Sequence, residues 1–429
     1  MTYTNNNTNE NLKQLSSETL IIGVDIAKLE HVAKAIDYRG IELSKSIKFN
    51  STMRGFREFL DWIYILQETH NKSTVIVGLE PTGPYGHTLT QFLRNCDIHT
   101  VLVLGKQVNT AKELDDNTPS KNDSKDALII AKLVKDGRYR KLRTFTEEVA
   151  SLKEAMAHDR QLTKDLTRIK CRIDNWLCQY FPEFKTAFKS WTFKTAFITL
   201  KCFPMPKDIA KLTPTEISTV WRENGVQKGI GVKKAEQLIF LARHSAGLTS
   251  ASEFAENHIR CMIEQYILLT EQKDELWAMT EMLLKDIPLY QTLIKIPCMS
   301  KRIACGIASE IGDVSDFSHS KQLIRLAGLS LKEVSSGKKH GLTEISRRGR
   351  PHLRHWLYLA VLELLKRREF SFWHMHNHYK NRKINPLKPM QSVIALCNKL
   401  LRVIFGMATN EKPYDSRIVT SGLPGFAAA

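Results

Sequence analysis

The chain has 429 residues, 42% of them hydrophobic and 25% charged, the balance of an ordinary folded protein with room for two or three domains. It has no uninterrupted apolar run near the roughly 20 residues of a membrane helix, so no membrane span is expected. A net charge of +18 favours polyanionic partners, nucleic acid before anionic lipid, because excess Lys and Arg supplies salt-sensitive affinity for phosphate backbones.

Residues 1–18 are rich in Asn and Thr, lack the order of a signal peptide, and are expected to be a disordered tail. From Leu20 to about Gly137, strand-like and helix-like runs alternate. Three short strand-like runs come first (Thr19–Ile26, His31–Tyr38, Ile41–Phe49), then an amphipathic helix carrying Phe56, Phe59, Leu60, Ile63 and Ile65. A strand at Thr74–Leu79, a helix from near Tyr85, a strand at His99–Leu104 and helical pattern over Asn109–Lys135 complete the segment. This alternation predicts an α/β domain over 19–145, and three strands before the first helix suggest an RNase H-like order over a Rossmann one.

The period then changes. Leu162, Leu166, Ile169, Ile173, Trp176 and Tyr180 make a narrow helical seam that stops at Pro182, and a second seam runs from Ile259 to Ile287. Region 146–290 is therefore expected to be an α-helical coiled-coil or hairpin. Region 291–415 reads as mainly α-helical, with a turn-rich stretch at Ser335-Ser336-Gly337-Lys338-Lys339, and 416–429 as a loose tail. The eight cysteines include no Cys-x-x-Cys pair, which argues against zinc or a disulfide framework and fits a reducing cytoplasm.

Asp25 stands out because it lies in the apolar run Leu20-Ile21-Ile22-Gly23-Val24-Asp25-Ile26-Ala27, where an unpaired ionised carboxylate costs several kcal/mol or more. Offsetting it calls for a cation shared with other carboxylates. Glu80 ends the fourth strand, and Asp123 and Asp126 are spaced to share one helical face. Carboxylate oxygens suit Mg²⁺ or Mn²⁺, and paired ions can clamp the attacking and leaving oxygens of a phosphodiester. Taken singly, each is also what a capping or solvated carboxylate looks like. A Gly-x-Asp in a first strand occurs in actin-like sugar kinases too, but no phosphate-binding Gly-rich turn follows Asp25.

Ser335-Ser336-Gly337 could bring a hydroxyl close to a phosphate, with Lys338, Lys339, Arg347 and Arg348 to stabilise charge at phosphorus. The same composition describes an exposed loop. Arg350 and Arg354 extend the basic stretch, and Trp356, Phe372, Trp373 and Tyr379 lie among cations, as base-stacking or as core residues do.

The runs IIGVDIAK, VGLEPTGPYG, KNDSKDALIIA and LIRLAGLSLKEVSSGKKHGLTEISRRGRPHLRHWL, in that order, resemble the DEDD-type transposases of the insertion-sequence one-ten family and the related Piv-type DNA invertases. The resemblance implies a RuvC-like RNase H domain, a helical coiled-coil insertion and a C-terminal transposase domain. It makes Asp25, Glu80, Asp123 and Asp126 a metal-binding tetrad for Mg²⁺ or Mn²⁺, and Ser336 a catalytic serine that forms a covalent phosphoserine with DNA. It further implies donor and target DNA, a structured guide RNA encoded by the element, and a homo-oligomer acting in the bacterial cytoplasm. A Piv-like site-specific DNA invertase, a hydrolytic RuvC-like nuclease and a non-catalytic nucleic-acid-binding protein are the alternatives to this transposase reading. Where the family's turn before the helix near Ile307 reads Pro-Gly-x-Gly, this chain has Cys298 and Ser300 at the glycine positions.

Overall fold

The computed structural model describes residues 3–80, 83, 85–115, 123–143, 145–227, 231–250, 252–336 and 339–420, and within these all side chains except those of 3–7, 114, 115, 333–336 and 339–343. They fall into two compact units, 1–144 and 145–429.

The first unit is built on a mixed sheet. Strand β1 (Thr19–Asp25) is apolar at nearly every position and fully buried from Leu20 to Ile22, as a strand covered on both faces must be. It pairs antiparallel with β2 (Glu30–Ile36), which pairs antiparallel with β3 (Ile47–Asn50). On its other side β1 runs parallel to β4 (Thr74–Leu79), and β4 runs parallel to β5 (His99–Leu102). A two-residue strand, β6 (Arg140–Lys141), adds antiparallel to β5, so the order among the described residues is β3-β2-β1-β4-β5-β6.

Side-chain alternation assigns the two faces. Leu20, Ile22 and Val24 meet Phe56, Phe59 and Ile63 of helix Met53–Thr69 and Leu89 and Leu93 of helix His87–Asn95. Ile21, Ile36 and Ile76 face the opposite layer, with Val108 of helix Gly105–Asp115 and Ile129, Ile130 and Val134 of helix Asp123–Lys135. On that second face Gly23 and Gly78 are register partners. A Cβ at Gly23 would lie 2.1 Å from the Ala127 carbonyl oxygen and 2.4 Å from the Ala131 nitrogen, and one at Gly78 would lie 2.4 Å from Val134 Cγ2. Two missing side chains thus let the helix rest directly on the centre of the sheet.

Three expectations for this unit change. Of the third run only Ile47–Asn50 forms a strand, Glu42 before it keeping a single antiparallel bridge to Ile36. The expected tail 1–18 contains a helix, Tyr3–Leu12, whose Asn11 is buried and donates from Nδ2 to the carbonyls of Gly137 (2.9 Å) and Tyr139 (3.2 Å). The helical pattern over Asn109–Lys135 falls to two helices, Gly105–Asp115 and Asp123–Lys135, and residues 116–122 lie outside those described.

Among its described residues the second unit is helical apart from one hairpin. Helices Glu147–Tyr180 and Ser252–Leu283 lie antiparallel: Trp176 bonds to Ala255, Thr163 to Lys273 and Asp159 to Trp277, one number falling as the other rises. Leu162, Ile169, Ile173 and Trp176 of the seam are buried, as are Ile259 and Met262 opposite. Around the far end of this pair, Phe181, Phe184 and Trp221 build a core with the short helices Pro214–Glu223 and Val232–Arg243. The first of these helices starts at a Thr213/Glu216 capping box.

A second core joins helices Lys301–Ile311, Pro351–Lys366 and Pro389–Asn410. Against the expectation of no span-length apolar segment, Pro389–Asn410 has the length and hydropathy of one; its Leu396, Cys397, Leu400, Leu401 and Ile404 are fully buried in this core. The expected loose tail from 416 begins as helix Ser416–Thr420, with Val419 and Thr420 buried, while 421–429 lie outside the described residues. All eight cysteines are free thiols. Cys298 takes a left-handed backbone, φ 62°, in the turn where the resemblance expects glycine, and the Ser300 hydroxyl caps the following helix by accepting from the Ile303 N–H.

Candidate active site

The sheet register brings the acidic residues together. Val24 and Leu79 are partners, so Asp25 at the end of β1 and Glu80 just past β4 emerge side by side from parallel strands. Asp25 shares its strand face with Gly23, and Glu80 with Gly78, the face on which helix Asp123–Lys135 lies. Asp123 and Asp126 sit in the first turn of that helix, where the helix dipole favours negative charge. Asp126 is buried and Asp123 exposed.

The four groups feel one another. Burial pushes the Asp25 carboxyl from an ordinary 3.8 up to about 6, the charges of Asp126, Asp123 and Glu80 push the same way, and Lys112 opposes them. Glu80 is also raised, first by burial, with Lys112 lowering it and Asp126 raising it. The Lys112 ammonium lies 2.5 Å from Asp126 Oδ2. Among the described residues no three Asp, Glu, His or Cys groups stand close enough to hold one ion as they are placed. The chemistry of the donors nevertheless fits a divalent ion with oxygen ligands: the cluster is all carboxylate, mutually repelling, and already attracts one cation in Lys112.

Two contributors had no signal in the sequence. Lys112 sits in an ordinary-looking helical charge pattern, and only the tertiary fold carries it to Asp126. Gly105, which opens helix Gly105–Asp115, leaves the room that Glu80 occupies, since a Cβ there would stand 2.4 Å from Glu80 Oε1.

Ser336 ends strand β7 (Leu331–Ser336), with its Cα paired to Lys339 of β8 (Lys339–Ile345). The stretch expected as a turn-rich loop is thus largely a β-hairpin. Gly337 and Lys338, and the side chains of Ser335, Ser336 and Lys339, lie outside the described residues. Arg347 and Arg348 are exposed. Arg350 and Arg354, expected at nucleic acid, are engaged within the protein. Arg350 donates to the Glu310 carbonyl and pairs with its carboxylate at 3.7 Å, and Arg354 donates to the Ala327 carbonyl at 2.8 Å. Both fasten the segment that follows the hairpin to its helical base.

Two family models match the chain. One, a DEDD-type IS110 model described as a transposase, covers residues 22–182, and the other, described as the transposase IS116/IS110/IS902 family, covers 290–380. The chain belongs to the IS110 family of transposases. The first matched stretch of this IS110-family chain contains all four carboxylates, and the second contains Ser336 and the basic residues after it. The chain is 26% identical over 206 residues to the transposase for insertion sequence element IS1111A of Coxiella burnetii, an overlap of 46% of this chain and 54% of that protein. It is 20% identical over 302 residues to an uncharacterized 43.6 kDa protein of insertion element IS110 from Streptomyces coelicolor, covering 70% of this chain and 73% of the relative. The chain thus spans about half the length of the first relative and nearly three quarters of the second.

Proposed function

We propose that this IS110-family protein cuts and rejoins DNA strands, with Asp25, Glu80, Asp123 and Asp126 as its metal centre and Ser336 as its nucleophile. The observation that supports the reading is where the four carboxylates lie along the fold: two at the ends of adjacent parallel strands, two in the first turn of the helix resting on Gly23. The order β3-β2-β1-β4-β5, antiparallel on one side of β1 and parallel on the other, supports an RNase H-like assignment for residues 19–145. Region 146–290 is then the coiled-coil insertion and 291–415 the transposase domain.

In this reading Mg²⁺ or Mn²⁺, when bound, neutralises charge on the phosphate and lowers the pKa of the attacking group. Asp25 and Glu80 orient from the sheet and Asp123 and Asp126 from the helix. The Ser336 Oγ forms an ester to phosphorus, the bond from phosphorus to the departing strand breaks, and the departing oxygen takes a proton. Reversal against the hydroxyl of another strand end rejoins DNA without net hydrolysis. The exposed Arg347 and Arg348, with Lys338 and Lys339, contact phosphates. The net charge of +18 suits donor and target DNA together with a structured, element-encoded guide RNA.

Strand cleavage of a duplex carrying the element's own end, with the guide transcript, tests the centre. Cleavage with Mg²⁺ or Mn²⁺ and none with EDTA, or with Asp25→Asn or Asp126→Asn, is expected. Cleavage that persists in both variants contradicts it.

A further inference from the structure

We propose that Lys112 is a placeholder cation, its ammonium holding a divalent ion's place against Asp126 until the ion displaces it. The inference rests on the reading of the carboxylates as a metal centre and adds a residue that reading does not contain. Lys112 Nζ is 2.5 Å from Asp126 Oδ2, and its charge also reaches Asp25 and Glu80, so one ammonium serves three of the four carboxylates. Asp126 has 12% of its side chain exposed and Lys112 has 36%, so the carboxylate is the more buried partner and the cation the more solvent-accessible one.

Ordinary structural pairing explains this arrangement poorly. Asp126 lies in the first turn of its helix, where the helix dipole already favours a carboxylate, and an ion pair of this burial adds little net stability. What the pair does is compensate a cluster that otherwise repels itself. A lysine suits that task better than an arginine, since its charge is compact and its four-carbon stem can swing without breaking a two-pronged contact. An ion entering among the four carboxylates meets this positive charge first. Its affinity is lowered by the work of displacing the ammonium, and the empty site stays folded and electrostatically compensated until ion concentration is high enough.

Mn²⁺ titration of the full-length protein without nucleic acid, followed by calorimetry, tests this. Lys112→Gln is expected to bind Mn²⁺ at least tenfold more tightly than the wild type, while Lys112→Arg binds no more tightly than the wild type; Asp25→Asn serves as the control that loses the site. Circular dichroism verifies folding of each variant, and Lys112→Met takes the place of Lys112→Gln if the latter does not fold. Equal or weaker binding by the uncharged variant, where the wild type binds and Asp25→Asn does not, overturns the placeholder role alone. If no variant binds better than Asp25→Asn, the metal centre falls, and the placeholder with it.

Discussion

Asp25→Asn separates the energetics of the site from its chemistry. Without metal, the Asp25 carboxyl rises from 3.8 to about 6, which means its charged form is less favourable in the folded state than in the unfolded chain. At about 1.36 kcal/mol per pKa unit the shift corresponds to about 3 kcal/mol of destabilisation at pH 7. Asp25 is only partly buried, and solvent screening reduces this to about 1–2 kcal/mol. Asparagine keeps the shape and removes the charge, so in EDTA at pH 7 the variant is expected to have the higher urea midpoint.

The pH dependence has a fixed sign. Between pH 3.8 and about 6 the folded protein binds more protons at this site than the unfolded chain, so wild-type stability falls as pH rises through that window. The advantage of Asp25→Asn is therefore full above about pH 6 and disappears towards pH 3.8. Saturating Mg²⁺ should reverse the order, because an ion at about a hundred times its dissociation constant adds about 2.7 kcal/mol to the wild type and much less to the variant. Urea unfolding at several pH values, with EDTA and with Mg²⁺, measures all of this. A variant less stable than the wild type in EDTA at pH 7, or one that Mg²⁺ stabilises as strongly as the wild type, refutes the reasoning.

Other perturbations probe the scaffold. Gly23→Ala places a methyl group against the backbone of Ala127 and Ala131, so the helix carrying Asp123 and Asp126 must lift from the sheet; a loss of about 1–3 kcal/mol in urea unfolding and loss of cleavage are expected. Cys298→Gly relieves a left-handed backbone and should stabilise the second unit by up to about 1 kcal/mol, whereas Cys298→Val should destabilise it, both read as shifts in thermal midpoint. Asp159, 1% exposed, accepts from both Arg302 Nε (3.0 Å) and Nη2 (2.8 Å) and from Trp277 Nε1 (3.0 Å). Asp159→Ala strands those donors, and with Arg302 partly in solvent the expected cost is about 2–3 kcal/mol, which Asp159→Asn should partly restore.

Much of the sheet could be read from the chain because its strands are doubly covered and so almost uniformly apolar: Thr74–Leu79 has the bounds expected of it. The long helix ending before Pro182 was legible for a similar reason, since proline stops a seam whose buried residues keep helical spacing. What escaped notice depends on tertiary placement. Helix Tyr3–Leu12 has a composition that suggests disorder, and it is held by Asn11 bonding to residues far along the chain. The two paired strands around Ser336 carry no strong strand pattern in the sequence. The carbonyl partners of Arg350 and Arg354 leave no mark in the sequence, and Lys112 looks like any solvated helix charge until Asp126 appears beside it.

The most direct measurement of the central claim is covalent trapping. Incubated with its cognate end, guide transcript and Mg²⁺, the wild-type protein should give a DNA adduct that survives denaturing electrophoresis. Ser335→Ala should give the same adduct, while Ser336→Ala and Asp126→Asn should give none. An adduct from Ser336→Ala, or cleavage by the wild type that proceeds to free strands with no adduct at any time point, would contradict the account.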